Sequence, residues 1–274
     1  MPSHLNDELP ALIALANDLA EAAGRETLPR FRSADLITSN KLASGFDPVT
    51  EADEASEAAM RALLTERRPD DGVYGEEQER TFGTSGLTWV LDPIDGTRAF
   101  ISGMPTWGTL IALDDGDRGR IGVVDQPYMG ERYVGAVGSE SQAWMEHRGE
   151  RRPIRTRPCT NLSDATIFTT DPYLFNDTET EAFSNIRHRA RLTRYGTDCY
   201  GYALVAIGQI DAVIETDLQA YDIAALVPLI EAAGGVVTDW SGGDCRWGGQ
   251  AVAAGSAELH EALLERLAPA SKNG

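Results

Sequence analysis

Apolar positions recur with helical spacing near the start of the chain. Leu9, Leu12, Ile13, Ala16, Leu19 and Ala23 mark one face of a helix that begins near Pro10 and stops at Gly24. Thr50, followed three residues later by Asp53, has the form of a capping box, and Ala55, Ala59, Ala62 and Leu63 continue a second helix as far as Pro69. The run Trp89-Val90-Leu91, bounded by Gly86 and Pro93, predicts a buried strand that delivers Asp92 to its end. From 107 to 156 the pattern changes to apolar segments broken at 114–119, 127–130 and Gly138, intervals that predict an antiparallel meander.

Past Pro158 strand-like and helix-like segments alternate. Strands are predicted near 166–169, 191–195, 211–215 and 236–240, and helices over 177–189, 199–207, 223–233 and 257–267, the third stopped by Gly234 and Gly235. The layout predicts a layered α/β protein of two lobes, 1–155 with a mainly antiparallel sheet and 156–274 with alternating elements.

Composition narrows the function classes. At 274 residues, with 42% hydrophobic and 24% charged residues, the chain has the make-up of an ordinary globular protein, so a disordered or fibrous reading is set aside. The net charge of -19 comes without a basic block, which argues against a nucleic-acid partner. Arg148, Arg151, Arg152, Arg155 and Arg157 alternate with other residues and read as a solvated strand edge or linker. Cys159, Cys199 and Cys245 are odd in number and widely spaced, and His4, His147, His188 and His260 show no zinc spacing and read as surface residues. With no run of eighteen apolar residues and no export signal at the N-terminus, a cytoplasmic protein without a membrane partner is expected.

The candidate chemistry lies in carboxylates. In Asp92-Pro93-Ile94-Asp95-Gly96-Thr97 two acids stand three apart in a tight turn at a strand end, where Pro93 restricts the backbone and Gly96 permits the turn. Such a turn aims both carboxylates and a freed carbonyl at one hard cation, although Asp-Pro and Asp-Gly are also common turn dipeptides. Glu76 and Glu77 follow the short strand end Gly72-Val73-Tyr74-Gly75, and Asp222 opens an apolar helix where it also suits a plain N-cap. Asp47, in Asp47-Pro48-Val49-Thr50, precedes another helix and alone reads as turn chemistry.

Taken in order, these segments resemble the inositol monophosphatase superfamily of magnesium-dependent, lithium-sensitive phosphatases. The resemblance runs through Asp47-Pro48-Val49-Thr50-Glu51-Ala52-Asp53, Gly75-Glu76-Glu77, Trp89 to Thr97, Tyr221-Asp222-Ile223-Ala224-Ala225 and Glu231-Ala232-Ala233-Gly234-Gly235, nearly the full chain. Tyr221 departs from it, since the family usually has Trp there. The resemblance implies an αβαβα sandwich and two to three Mg2+ ions. Glu76, Asp92, the Ile94 carbonyl, Asp95 and Asp222 would be ligands, and Glu76, Thr97 and Asp47 would activate a water. Asp95 and the Gly96 and Thr97 amides would hold the phosphate of a small-molecule ester. It also implies a homodimer.

Within that superfamily the chain looks most like the histidinol-phosphate phosphatases of bacteria, through Arg98-Ala99-Phe100-Ile101-Ser102-Gly103, Pro105-Thr106-Trp107-Gly108-Thr109-Leu110-Ile111-Ala112-Leu113 and Arg194-Tyr195-Gly196-Thr197-Asp198-Cys199-Tyr200. Asp198 places a carboxylate where inositol phosphatases usually have a small residue, which suits a substrate bearing an ammonium and an imidazole. Asp198, Glu215, Thr197 and Arg194 are the expected substrate contacts, with an N-cap as the alternative for Asp198 and a structural ion pair for Arg194. The competing readings are an inositol-phosphate or broad sugar-phosphate phosphatase, a bisphosphate nucleotidase, for which the long insertions are missing, and a non-enzymatic binding partner.

Overall fold

The computed structural model describes residues 4–34, 36, 38–40 and 48–272. In chain order the elements are α1 (His4–Thr27), β1 (Thr38–Asn40), β2 (Pro48–Thr50), α2 (Glu51–Arg67), β3 (Gly72–Gly75), β4 (Thr88–Asp95), α3 (Thr97–Ser102) and β5 (Gly108–Asp114). They continue with β6 (Gly119–Gln126), β7 (Glu131–Ala136), β8 (Gln142–His147), β9 (Glu150–Pro153), β10 (Thr166–Thr169), α4 (Asp177–Arg187), β11 (Leu192–Tyr195) and α5 (Asp198–Ala206). The last are β12 (Ala212–Gln219), α6 (Ala220–Ile223), α7 (Leu226–Ala232), β13 (Val236–Thr238), β14 (Gly248–Ala254) and α8 (Ala257–Leu267).

Strands β3 to β9 form one sheet in sequential order, parallel only between β3 and β4 and antiparallel from β4 onward. A second sheet has the order β11-β10-β12-β14-β13, with β11, β10 and β12 parallel and β14 antiparallel to both its neighbours. Period-two alternation gives each sheet two apolar faces. Trp89, Leu91, Ile111 and Val123 face α1 and α2, where Leu12, Leu19, Met60 and Leu64 cover them. Val90, Leu110, Val124 and Tyr133 face the other way and share one core with Tyr202, Val205, Leu226 and Leu229 of α5 and α7 and with Val213, Ala251 and Ala253 of the second sheet. Ile214 and Val252 then meet α4 and α8 on the outer side. The result is the five-layer αβαβα sandwich.

Two glycines set the spacing of the middle layer. A Cβ on Gly122 of β6 would lie 1.9 Å from the Ala225 carbonyl oxygen, and one on Gly135 of β7 would lie 2.4 Å from the Leu229 Cα. Only bare backbone there lets α7 sit on the sheet.

The helix at Thr50 forms with the expected capping box, and the helix over 257–267 matches α8. Helix α1 starts earlier than Pro10 and runs past Gly24, held by Leu5 and Leu9 packed on the core. The helix predicted over 223–233 is instead two, α6 and α7, because Pro228 offers no N–H for the Ala224 carbonyl. Strand β12 runs beyond Glu215 to Gln219, and β13 ends at Thr238, before Trp240. Central strand β14 was not anticipated, since its two leading glycines and small residues have little strand propensity. His260 is buried on α8 rather than at the surface, with Nε2 2.9 Å from the Thr238 hydroxyl. The arginine-rich segment contains the exposed edge strand β9, with the Arg151 guanidinium 3.7 Å from the Trp144 ring centroid. Among the described residues no helix is long and apolar enough to cross a membrane.

Candidate active site

In a regular strand, residues three apart point to opposite faces. Strand β4 escapes this through a bulge: Asp92 pairs with Leu110 and Asp95 with Gly108, so three steps on β4 match two on β5. The extra residue returns both carboxylates to one side. The bulge is pinned by the buried Thr109 hydroxyl, which donates to the Pro93 carbonyl at 2.8 Å. Gly96 follows with φ +82°, a left-handed conformation that opens α3, and a Cβ there would lie 2.8 Å from the Asp198 carboxyl carbon. The Thr97 hydroxyl donates to the Ile94 carbonyl at 3.1 Å.

Asp222 comes from the opposite sheet, on α6 just after β12, where it accepts the Gln219 N–H at 2.7 Å. Oxygens of Asp92, Asp95 and Asp222 all lie within 4.8 Å of one another. Asp92 Oδ1 is buried with no hydrogen-bond partner. Burial, and then repulsion from Glu76, Asp95 and Asp222, holds the Asp92 carboxyl well above the usual carboxylate range. Burial, and then Asp198 and Asp222, does the same for Asp95. Hard oxygen donors crowded in mutual repulsion, one of them orphaned, fit a small divalent cation that would relieve both. Glu76, at the exit of β3, adds its field to this cluster.

Beside the cluster lies a cavity of about 160 Å³ whose lining includes Asp95, Asp171, Asp198, Glu215 and Asp222, with Thr170 and Tyr202. Among the described residues no lysine or arginine lines it. Asp198 has φ +45° and does not cap its own helix, because Thr197 holds the N-cap of α5 and the Cys199 N–H donates to Asp95 Oδ2 at 2.6 Å. Its carboxylate turns instead to the Thr106 hydroxyl, 3.1 Å away. Burial pushes the Asp198 carboxyl up to about 6, against the pull of Thr106 and Arg98. Glu215 accepts the Tyr202 hydroxyl at 3.0 Å, the Thr170 N–H at 3.1 Å and also the Thr170 hydroxyl. Burial pushes it up to about 7, opposed by those hydrogen bonds. A larger groove of about 800 Å³ lies elsewhere, between α1 and the β8–β9 hairpin, where Asp125 and Arg132 neutralise each other at 2.7 Å.

The structure thus brings together Asp92, Ile94, Asp95, Gly96, Thr97, Asp198, Glu215 and Asp222, and places Glu76 in the field of Asp92. Thr197 stands behind Asp198, with a buried hydroxyl that has no hydrogen-bond partner. Arg194 is exposed on edge strand β11, outside the cavity lining. Asp47 lies outside the described residues. Tyr221 is half-buried, its ring edge-on to Tyr74 at 6.2 Å, and its hydroxyl is raised by burial and by the charges of Glu76 and Asp222. Sequence reasoning gave Arg98 and Thr106 only as members of longer matching segments, with no role at the site, and missed Thr170, Asp171 and Tyr202. Arg98 approaches Asp171 at 3.8 Å at the cavity edge. The signal for Thr170 and Asp171 was their place at the C-terminal end of parallel strand β10, where α/β sheets gather ligand contacts.

The crowded carboxylate cluster thus lies between the two sheets of a five-layer sandwich. The profile of the Inositol monophosphatase family matches residues 8–273, and the chain belongs to that family of phosphatases. Bifunctional phosphatase IMPL2, chloroplastic, of Arabidopsis thaliana is 40% identical over 97% of this chain and 78% of its own length. The histidinol-phosphatase of Chlorobaculum parvum is 36% identical over 84% of this chain and 86% of its own. Among solved structures, an inositol monophosphatase from Zymomonas mobilis matches with a TM-score of 0.81 at 40% identity, covering 94% of this chain and 98% of that one.

Proposed function

We propose that this phosphatase converts L-histidinol phosphate to L-histidinol and phosphate, using magnesium held by Glu76, Asp92, the Ile94 carbonyl, Asp95 and Asp222. The observation that carries the reading is the cavity beside the metal cluster, walled by Asp198 and Glu215, with Asp171 paired to Arg98 at its edge and no lysine or arginine among the described lining residues. A neutral polyol has no use for so much negative charge, whereas an ammonium and an imidazole gain charge-assisted hydrogen bonds from it. The kinship with a histidinol-phosphatase at 36% identity supports the same assignment.

Bound there, two to three divalent cations supply the positive charge that offsets the phosphate dianion and the departing alkoxide and that acidifies a water. The chain's own groups do the rest. Glu76 would take up the proton of the attacking water, with Thr97 as hydrogen-bond relay to Asp47, and the Gly96 and Thr97 amides at the start of α3 would receive phosphate oxygens, beside which Asp95 would hold a cation. Asp198 and Glu215 hold the cationic end of the substrate, with Thr197 behind Asp198, while Arg194, exposed outside the cavity lining, takes no part. Displacement is in line and leaves no covalent phosphoenzyme. A homodimer, checked by sedimentation of the purified protein, and a cytoplasmic location, checked by cell fractionation, complete the proposal.

The test is phosphate release from histidinol phosphate beside inositol 1-phosphate, fructose 1,6-bisphosphate and adenosine 3′,5′-bisphosphate, with magnesium and then with chelator. The expected result is chelator-sensitive hydrolysis with about 100-fold preference in kcat/KM for histidinol phosphate, about 2.7 kcal/mol of differential transition-state binding. The second reading, an inositol monophosphatase or broad sugar-phosphate phosphatase, is favoured by the Zymomonas mobilis structure at 40% identity. Comparable rates across the panel would establish it in place of the first.

A further inference from the structure

We infer that Glu57 of α2 is the positioning residue that holds Glu76 at the metal cluster, an inference that rests on the proposed role of Glu76. The Glu57 side chain is wholly buried. Its Oε2 accepts the Glu77 N–H at 2.7 Å, and its Oε1 accepts the Gln78 N–H at 3.1 Å and the Arg61 Nε–H at 2.7 Å. Arg61 closes the clasp by donating from Nη2 to the Gln78 carbonyl at 3.2 Å. On the other side of Glu76 the chain passes so close to the same carboxylate that a Cβ on Gly75 would lie 2.2 Å from Glu57 Oε1. Both backbone neighbours of Glu76 are therefore seated on one carboxylate.

The need for such a seat follows from charge. Glu76 lies close enough to Asp92 and Asp53, both themselves buried, to raise their carboxyls by repulsion. Carboxylates gathered this closely keep their places only where the backbone that carries them is held. A buried Glu–Arg pair gives little net stability compared with apolar residues of the same volume. Here it supplies a fixed anion for two amides that the end of β3 leaves without strand partners. Glu57 thus sets where Glu76 stands without touching substrate, as outer carboxylates orient inner ligands in metal sites generally.

The experiment compares wild type, Glu57→Gln and Gly75→Ala in calorimetric Mg2+ titration without substrate, in the magnesium dependence of phosphate release, and in amide hydrogen exchange over 75–80. Glutamine keeps the size of Glu57 but turns an NH2 group toward donors, and alanine at 75 pushes the loop off the carboxylate. Both variants are expected to weaken Mg2+ binding about 10-fold, to raise the half-saturating magnesium concentration in parallel with kcat at saturating metal within about threefold, and to exchange faster at Glu77 and Gln78. Wild-type Mg2+ affinity in a folded variant, or exchange unchanged over 75–80, would overturn the inference while leaving the function intact. Absence of any magnesium requirement in wild type would overturn both. Should Glu57→Gln fail to fold, Gly75→Ala decides the matter alone, since it removes no polar group.

Discussion

Glu215 is a carboxylate in a place that disfavours its charge, and its consequences are measurable. Burial lifts it from 4.5 to about 7 despite donation from Thr170 and Tyr202. A group raised in the folded state binds its proton more tightly there than in the unfolded chain, so its contribution is fully present below pH 4.5 and is lost as pH rises through 7. The metal-free protein is expected to lose stability from pH 5 to pH 8, by about 3 kcal/mol at most through this group. Glu215→Gln keeps the shape, with its carbonyl toward Thr170 and its amide toward the Tyr202 oxygen, and calorimetry should show a flatter pH dependence. Identical slopes for variant and wild type would exclude Glu215 as the source. Asp198 calls for a different substitution, because its φ of +45° strains most side chains and asparagine tolerates it. Asp198→Asn is expected to raise KM for histidinol phosphate about 10-fold and to leave a neutral sugar phosphate near its wild-type KM. Equal changes for both esters would remove Asp198 from substrate selection.

At the scale of elements, the bulge in β4 decides whether Asp92 and Asp95 act together. Thr109→Val removes the hydroxyl that holds the Pro93 carbonyl with little change in size. The expected cost is about 1 to 2 kcal/mol in chemical denaturation, with weaker Mg2+ binding as the bulge loosens. Unchanged metal affinity would show that Pro93 and Gly96 keep the bulge by themselves. The same segment shows what sequence can reveal. Asp92-Pro93-Ile94-Asp95-Gly96-Thr97 was legible because its turn is written in local backbone preferences, and so was the Thr50–Asp53 cap of α2. The role of Thr106 was not, because it meets Asp198 only when the two sheets close on each other, and that of Tyr202 was not, because it meets Glu215 only once α5 packs on β12. Strand β14 was missed because it is held by neighbours on both sides rather than by its own glycine- and alanine-rich residues. The break between α6 and α7 was available in Pro228 but was masked by the continuous apolar run around it.

For the whole molecule the decisive contacts are those between layers. Gly122→Ala forces a methyl group into the Ala225 carbonyl oxygen and lifts the segment that leads from Asp222 into α7. The expected loss is about 2 to 3 kcal/mol in thermal unfolding, accompanied by weaker Mg2+ binding although the residue touches no carboxylate. Retained stability would mean that α7 can slide on the sheet without penalty. The apolar cluster that contains Val90, Tyr202, Leu229 and Val213 has a further meaning. It belongs to neither sheet alone, so a chain cut between Arg155 and Thr156 would yield two fragments, each with a naked greasy face and neither able to persist in solution. Heat should therefore melt both sheets in a single calorimetric transition, and the pieces should regain phosphatase activity only when they are refolded together.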